Sequence, residues 1–326
     1  YMDRSSLINA PIIGEMEDFK RLFDSSLSSS NLLLQHVIEH IRHKTGKMMR
    51  PMLVLLSAKL LGGEVRPATL HAAAALELLH TASLVHDDVV DESTERRGQL
   101  SVNAVFNNKV AVLSGDFLLA TALLQAAQTR HIDIIDLISV LGRDLADGEL
   151  LQLSNVQNRE FSEEIYFQVI RKKTAMLFAA CTKAGALSVD ADEEKTELLR
   201  LFGEYIGLCF QIKDDIFDYF DSKEIGKPTG NDMLEGKLTL PVLYALNSTH
   251  DAEATAIALR VKNGKATPDE ISRLVAFTKE KGGIEYAQEV MDAHRQRALS
   301  LLDGVPDCEV KRALQAYIDY VVEREK

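Results

Sequence analysis

The chain carries no proline between Pro67 and Pro228, and this gap limits the possible folds more than any other feature. Proline breaks a helix interior because it lacks the amide donor and its ring collides with the preceding turn. A stretch this long without proline is free to build long helices. Its residues use that freedom: "ATLHAAAALELLHTASLVHDD" and "LISVLGRDLADGELLQL" are rich in strong helix formers, with apolar residues at helical spacing. Sustained period-two alternation is absent, and "KNGK" at 262–265 reads as a turn between helices. Long helices are expected at about 31–44, 47–61, 67–95, 109–128, 133–155, 162–187, 195–221 and 237–248, with several more from 268 to 324. A helix from Pro67 to Glu95 would be about 43 Å long and needs other helices to cover it. The expected fold class is therefore all-α, a large helical bundle. No linker or composition shift divides residues 1–326, so a single domain is expected, with residues 1–30 its least patterned segment.

The formal net charge of −12 argues against a surface built to hold nucleic-acid phosphates. Bound metal ions or a local concentration of basic residues would still allow a small anionic ligand. Three cysteines, Cys181, Cys209 and Cys308, are too few and odd in number for a disulfide framework. They suggest a reducing compartment. No uninterrupted run approaches the roughly 18 apolar residues of a membrane span. The first residues lack a basic segment followed by an apolar one. The chain reads as cytoplasmic.

"LVHDDVVDESTERRG" at 84–98 sets Asp87, Asp88 and Asp91 among Leu, Val and His. On a helix Asp87 and Asp91 share a face, and Asp88 lies about 100° round. Carboxylates crowded into apolar surroundings are unfavourable unless a cation compensates them. A solvated helix end would explain one such cluster. The pattern recurs in "FQIKDDIFDYF", with Asp214, Asp215 and Asp218. Two copies suggest two carboxylate clusters facing each other across a helical cavity. Oxygen-only donors suit a hard ion such as Mg²⁺, which keeps waters and commonly bridges to substrate phosphates. Zinc spacing is missing, since His71, His80 and His86 share one helix without a cysteine partner. Arg96 and Arg97 follow the first cluster, and guanidinium forks suit diphosphate oxygens. "GKMMRP" at 46–51 offers Gly46, Lys47 and Arg50 at a helix start, a plausible anion site without Walker spacing. Lys173, Thr174, Lys227 and Lys237 read singly as surface residues. Gln211 lies on the face of Asp214, and His80 lies two turns before Asp87.

Taken together, "GKMMRP", "LVHDDVVDESTERRG", "RKKTAM", "GLCFQIKDDIFDYF" and "GKPTGNDMLEGKLTLP" resemble the trans-prenyltransferases, the polyprenyl diphosphate synthases. The resemblance implies an all-α homodimer of the isoprenoid synthase type with a central cavity in each subunit. It implies that Asp87 and Asp91 hold Mg²⁺ against an allylic diphosphate, supported by Asp88. Asp214 would bind a further Mg²⁺, and Asp215 and Asp218 would complete the second cluster. Lys173, Thr174, Gln211, Lys227 and Arg96 would contact the allylic substrate, with Lys237 at the same rim. Gly46, Lys47, Arg50, His80 and Arg97 would hold isopentenyl diphosphate.

A class I terpene cyclase also ionises a prenyl diphosphate at an aspartate-rich helix, but it pairs that motif with a different metal motif and lacks the "GKMMRP" site. A head-to-head condensing enzyme is disfavoured for the same reason. A non-catalytic partner subunit would tend to lose one cluster, and this chain keeps both. Short-chain members of the resembled family often place an aromatic residue four or five positions before the first aspartate. Ala82 and Ser83 stand there, so a medium-to-long all-trans product, hexaprenyl to decaprenyl, is expected. A farnesyl- or geranylgeranyl-length product is the alternative. Leu76, Leu79 or a residue of 113–124 would form the channel floor.

Overall fold

The computed structural model describes residues 3–42, 46–96, 98–221 and 229–325. Arg97 and Lys227, both expected at the site, lie outside the described residues. The helices are α1 (Arg4–Asn9), α2 (Ile13–Ser26), α3 (Leu32–Arg42), α4 (Met49–Gly62), α5 (Pro67–Val90), α6 (Val102–Val105), α7 (Asn108–Gln128), α8 (Ile132–Asn155), α9 (Glu163–Ile170), α10 (Met176–Ser188), α11 (Glu193–Phe217), α12 (Asn231–Leu234), α13 (Leu240–Thr249), α14 (Ala252–Lys262), α15 (Pro268–Glu280), α16 (Gly283–Leu301) and α17 (Glu309–Glu323). A 3₁₀ turn (Ala10–Ile12) joins α1 to α2, and a π-helical turn (Arg171–Ala175) joins α9 to α10. Among the described residues the sole sheet is a two-stranded antiparallel hairpin, β1 (Glu95–Arg96) with β2 (Gln99–Leu100). The all-α expectation holds.

The centre of the bundle is α5, which packs on α2, α4, α7, α8 and α10. Pro67 opens it at a position where no amide donor is needed. The Arg66 amide donates to the Thr69 hydroxyl at 3.1 Å and fixes the entry. Ala72, Ala73, Ala74 and Ala75 are fully buried, and small side chains let the surrounding helices come close. One continuous apolar core runs from Ile8 to Val322.

α5 has 24 residues and is about 36 Å long; it does not continue to Glu95 as the sequence suggested. Glu92 takes a left-handed backbone (φ 54°). The Ser93 amide then donates to Asp88 O at 2.9 Å, and the chain leaves into the hairpin, which Gly98 turns at φ 76°. Five further helices, α1, α2, α6, α12 and α14, arise where no long helix was assigned.

By length and composition alone, α5 and α7 could each cross a membrane. Within its apolar window α5 is 72% buried inside the protein, whereas α7 is only 39% buried.

Candidate active site

The first cluster sits at the C-terminal end of α5. Asp88 is 4% exposed. Arg96 Nε reaches its two oxygens at 3.0 Å each, and Arg96 Nη2 adds a third hydrogen bond at 2.8 Å. The hairpin that ends the helix early is thus what returns Arg96 to this carboxylate. Asp87 and Asp91 have no such clamp. Burial, reinforced by Glu149, pushes the Asp87 carboxyl up to about 7 against the opposing pull of Lys173. Burial also raises Asp91, opposed chiefly by Lys237, whose Nζ lies 3.8 Å from Asp91 Oδ2. Burial disfavours charge on Lys237, but Asp91, Glu235 and Asp232 outweigh it and raise the ammonium.

The second cluster ends α11. That helix starts at Asp192, whose carboxylate caps the Lys195 amide, with Glu193 and Glu194 in the first turn. Its last turns present the aspartates. Asp214 Oδ1 accepts from Arg324 Nη2 at 2.8 Å. Asp215 is buried, accepts from Gln211 Nε2 at 2.9 Å and receives the Tyr166 hydroxyl. Burial pushes its carboxyl up to about 7, although both of these bonds pull it down. Asp218 Oδ2 accepts the Asp232 amide at 3.1 Å, and Asp218 O accepts the Gly230 amide at 2.8 Å. Segment 229–237 thereby folds back over the cluster. It brings Asp232, whose carboxyl is raised by burial and by Asp218 and Asp215.

The π-helical turn links the two clusters. A Cβ on Gly148 of α8 would stand 2.9 Å from Lys172 Cβ and 3.1 Å from Lys173 Cγ; one on Gly207 of α11 would stand 2.5 Å from Ala175 Cα. Glycine at both positions lets the turn wedge between α8 and α11. From there Lys173 Nζ meets Glu149 Oε1 at 2.5 Å and Gln152 Oε1 at 2.8 Å, on the side of Asp87. The next residue, Thr174, donates to Gln211 Oε1 at 2.8 Å, and Gln211 continues to Asp215. Consecutive side chains therefore serve the two clusters. π-turns of this kind occur frequently at functional sites.

The "GKMMRP" stretch forms the start of α4. Gly46 and Lys47 are exposed ahead of it, and Met48 takes a left-handed backbone (φ 54°). Lys47 Nζ donates to the Tyr320 hydroxyl at 2.6 Å. The Arg50 guanidinium lies 5.0 Å from the Phe178 ring and 5.4 Å from the Phe210 ring. Arg50 Nε is buried without a hydrogen-bond partner. His80 is half-buried on α5, and its carbonyl accepts from the Ser83 hydroxyl at 2.7 Å. Ala82 is buried and Ser83 half-buried on the same helix. Leu79 Cδ1 lies 3.9 Å from where a Cβ on Gly142 of α8 would stand.

Among the described residues no three His, Cys, Asp or Glu side chains already converge as a metal-binding group. The paired carboxylates still fit an ion such as Mg²⁺, which takes one or two carboxylates and fills its other positions with water and phosphate oxygens. The sequence reading missed Glu149, Gln152, Tyr166, Tyr320 and Arg324. A signal was present for one pair: Glu149 and Gln152 share a helix face by spacing.

The chain belongs to the polyprenyl synthetase family, whose model matches residues 31–278. It is 35% identical over 308 residues to the all-trans-nonaprenyl-diphosphate synthase (geranyl-diphosphate specific) of Rhodobacter capsulatus, covering 94% of each chain. Among solved structures, a geranylgeranyl pyrophosphate synthase from Bacteroides thetaiotaomicron is 61% identical, with a TM-score of 0.89 over 99% of this chain and 100% of that one. A polyprenyl synthase from Caulobacter crescentus complexed with calcium and isoprenyl diphosphate is 32% identical, with a TM-score of 0.92 and 98% of each chain covered.

Proposed function

We propose that this chain is a Mg²⁺-dependent trans-prenyltransferase that adds isopentenyl diphosphate to an allylic diphosphate by ionisation, condensation and elimination. The observation that carries this reading is the π-helical turn, from which Lys173 pairs with Glu149 on the side of Asp87 while Thr174 donates to Gln211, the partner of Asp215. Asp87 and Asp91 on one side and Asp214 on the other would hold the metal, with Asp88, Asp215 and Asp218 supporting them. Mg²⁺ held there would supply charge neutralisation for the departing diphosphate. Lys173, Thr174, Gln211, Lys227, Arg96 and Lys237 bind the allylic diphosphate and hold it in line for ionisation. Gly46, Lys47, Arg50, His80 and Arg97 hold isopentenyl diphosphate so that its double bond meets the cation. Apolar walls exclude water from that cation, and the proton is lost to the departing diphosphate.

The product is of medium to long chain, hexaprenyl to decaprenyl, because Ala82 and Ser83 set no aromatic stop beside the first cluster. The naming of the nonaprenyl-diphosphate synthase of R. capsulatus supports this reading. A geranylgeranyl-length product is the second reading. It is favoured by the 61% identical relative from B. thetaiotaomicron. Chromatography of products made with Mg²⁺, an allylic primer and excess isopentenyl diphosphate decides between them. Arrest of the wild type at geranylgeranyl length removes the longer reading. If the wild type elongates further, Ala82→Phe or Ser83→Phe shortens its product. The protein works as a homodimer in the cytoplasm. The exposed Leu113 and Leu124 of α7 and Leu150 and Leu153 of α8 are suited to a second copy, and light scattering in solution tests the dimer.

A further inference from the structure

The hairpin that returns Arg96 to Asp88 has little of its own to hold it in place. Its strands are two residues each, with Glu95 paired to Leu100 and Arg96 to Gln99, and an isolated two-stranded hairpin is marginally stable in water. The base is tied down. Ser93 O accepts from the Ser101 hydroxyl at 2.8 Å and from Asn103 Nδ2 at 3.0 Å, and Thr94 O accepts the Ser101 amide at 2.9 Å. Above the base, packing does little, because Glu95, Gln99 and Leu100 are exposed. There His40 reaches across from α3, and its Nε2 donates to Leu100 O at 2.8 Å. That nitrogen carries the hydrogen, since a carbonyl oxygen can only accept. The imidazole stands at 79° to the ring of Phe106, with centroids 6.2 Å apart. Val37, Ile38 and Ile41 bury α3 in the core, so the donor is offered from a fixed element.

We infer that His40 is a positioning residue: it fixes the hairpin so that Arg96 is held at the first aspartate cluster, ready for the allylic diphosphate. The inference rests on the functional reading above. Arg96 meets Asp88 through Nε and Nη2, a planar fork that tolerates little displacement. Arg96 follows Glu95 on the strand paired to the one that His40 holds, so a shift at Leu100 passes through that pairing to the guanidinium. Without His40, Leu100 O turns to water and the hairpin pivots on its base at Ser93 and Ser101. Asp88 is buried on α5 and cannot follow. The guanidinium is then no longer held at one place against Asp88 and an incoming diphosphate. His40 acts through Arg96 and not on the reacting atoms.

The test measures binding without turnover. The thiolo analogue of farnesyl diphosphate, whose C–S bond does not ionise, is titrated calorimetrically into the full chain at saturating Mg²⁺. His40→Ala should weaken the analogue by about three- to tenfold, the range of one hydrogen bond, with helical content unchanged by circular dichroism. His40→Gln, whose amide can still donate to Leu100 O, should stay within about twofold of the wild type. In an Arg96→Ala background, His40→Ala should add less than about twofold, because the residue it positions is gone. A purely structural role would make the two substitutions additive. Amide exchange in the hairpin should speed up in His40→Ala while exchange in the core of α5 stays as in the wild type. Full additivity with Arg96→Ala, or an unchanged affinity in His40→Ala, overturns the inference. Failure of the wild type to bind the analogue with Mg²⁺ overturns the functional reading, and the inference with it.

Discussion

The aspartates of α5 and those of α11 share one spacing, yet the protein treats them differently. At the end of α5, Asp88 is clamped by Arg96, while Asp87 and Asp91 are left raised, with Lys237 no closer than 3.8 Å to Asp91. At the end of α11 every aspartate has a partner from the protein: Arg324 for Asp214, Tyr166 and Gln211 for Asp215, and the Asp232 amide for Asp218. The first cluster keeps two carboxylates under electrostatic stress that a cation would relieve. At the second, each carboxylate already holds a hydrogen bond from the protein, so a cation there shares its oxygens with internal partners. An identical motif therefore yields one cluster with two unclamped, raised carboxylates and another in which each carboxylate is hydrogen-bonded by the protein.

The largest expected effect separates the two clusters by stability rather than by activity. Asp87→Ala and Asp214→Ala should each reduce turnover by more than about a thousandfold, which is about 4 kcal/mol of transition-state stabilisation. Asp87→Ala should melt no lower than the wild type, because it removes a carboxylate held at a cost. Asp214→Ala should melt lower, because it leaves the buried Arg324 without its carboxylate partner. Equal melting shifts, read by calorimetry of the metal-free protein, would erase the proposed difference.

Arg96→Ala probes the clamped member of the first cluster. Removing one partner of a fully buried ion pair costs roughly 3–5 kcal/mol. Arg96 is 29% exposed, so a loss towards the lower end is expected in urea unfolding. A loss below about 1 kcal/mol would mean that Asp88 does not depend on the hairpin.

The cations around the clusters should divide by substrate. Lys173→Ala should weaken the allylic diphosphate and spare isopentenyl diphosphate; Arg50→Ala should do the reverse. Removing one charge-assisted hydrogen bond to a diphosphate costs about 1.5–3 kcal/mol, roughly ten- to a hundredfold in affinity. Equal weakening of both substrates in separate KM measurements would remove the two-site assignment.

The smallest effect is a pH slope. The folded Asp87 carboxyl is raised to about 7, above its unfolded value of about 3.9. Its contribution to stability is fully present below the unfolded value and is lost as pH rises through about 7. The advantage of Asp87→Asn over the wild type should therefore grow between pH 4 and pH 8, reaching roughly a few degrees in Tm. A difference that stays flat with pH would contradict the stress assigned to the first cluster.

Much of this arrangement was legible in the sequence because it depends on spacing within single helices. The absence of proline and the Ala/Leu periodicity marked α5, α7, α8 and α11, and the recurring aspartates marked both clusters. The early end of α5 was not legible. Neither proline nor glycine marks residues 91–92, and the chain turns there through a left-handed Glu92. The partners were not legible either. Tyr166 lies 49 residues from Asp215, and Arg324 lies 110 residues from Asp214. Which distant side chain meets which aspartate is decided by how the helices pack, and no local pattern encodes it. The glycines at 148 and 207 acquire meaning only once the turn between them is seen.

At the π-helical turn the Met176 amide reaches back to Arg171 O, five residues rather than four. The rod formed by α9 and α10 therefore contains one residue more than its length requires, and Lys173 and Thr174 stand inside that surplus. Losing one codon here would return the rod to ordinary α-helical register, with α9 and α10 still able to pack on either side. Lys173 and Thr174 would no longer diverge towards Glu149 and Gln211. A gene copy with this deletion would encode a well-folded but inert polypeptide, so the scaffold tolerates a change at the position where the chemistry does not.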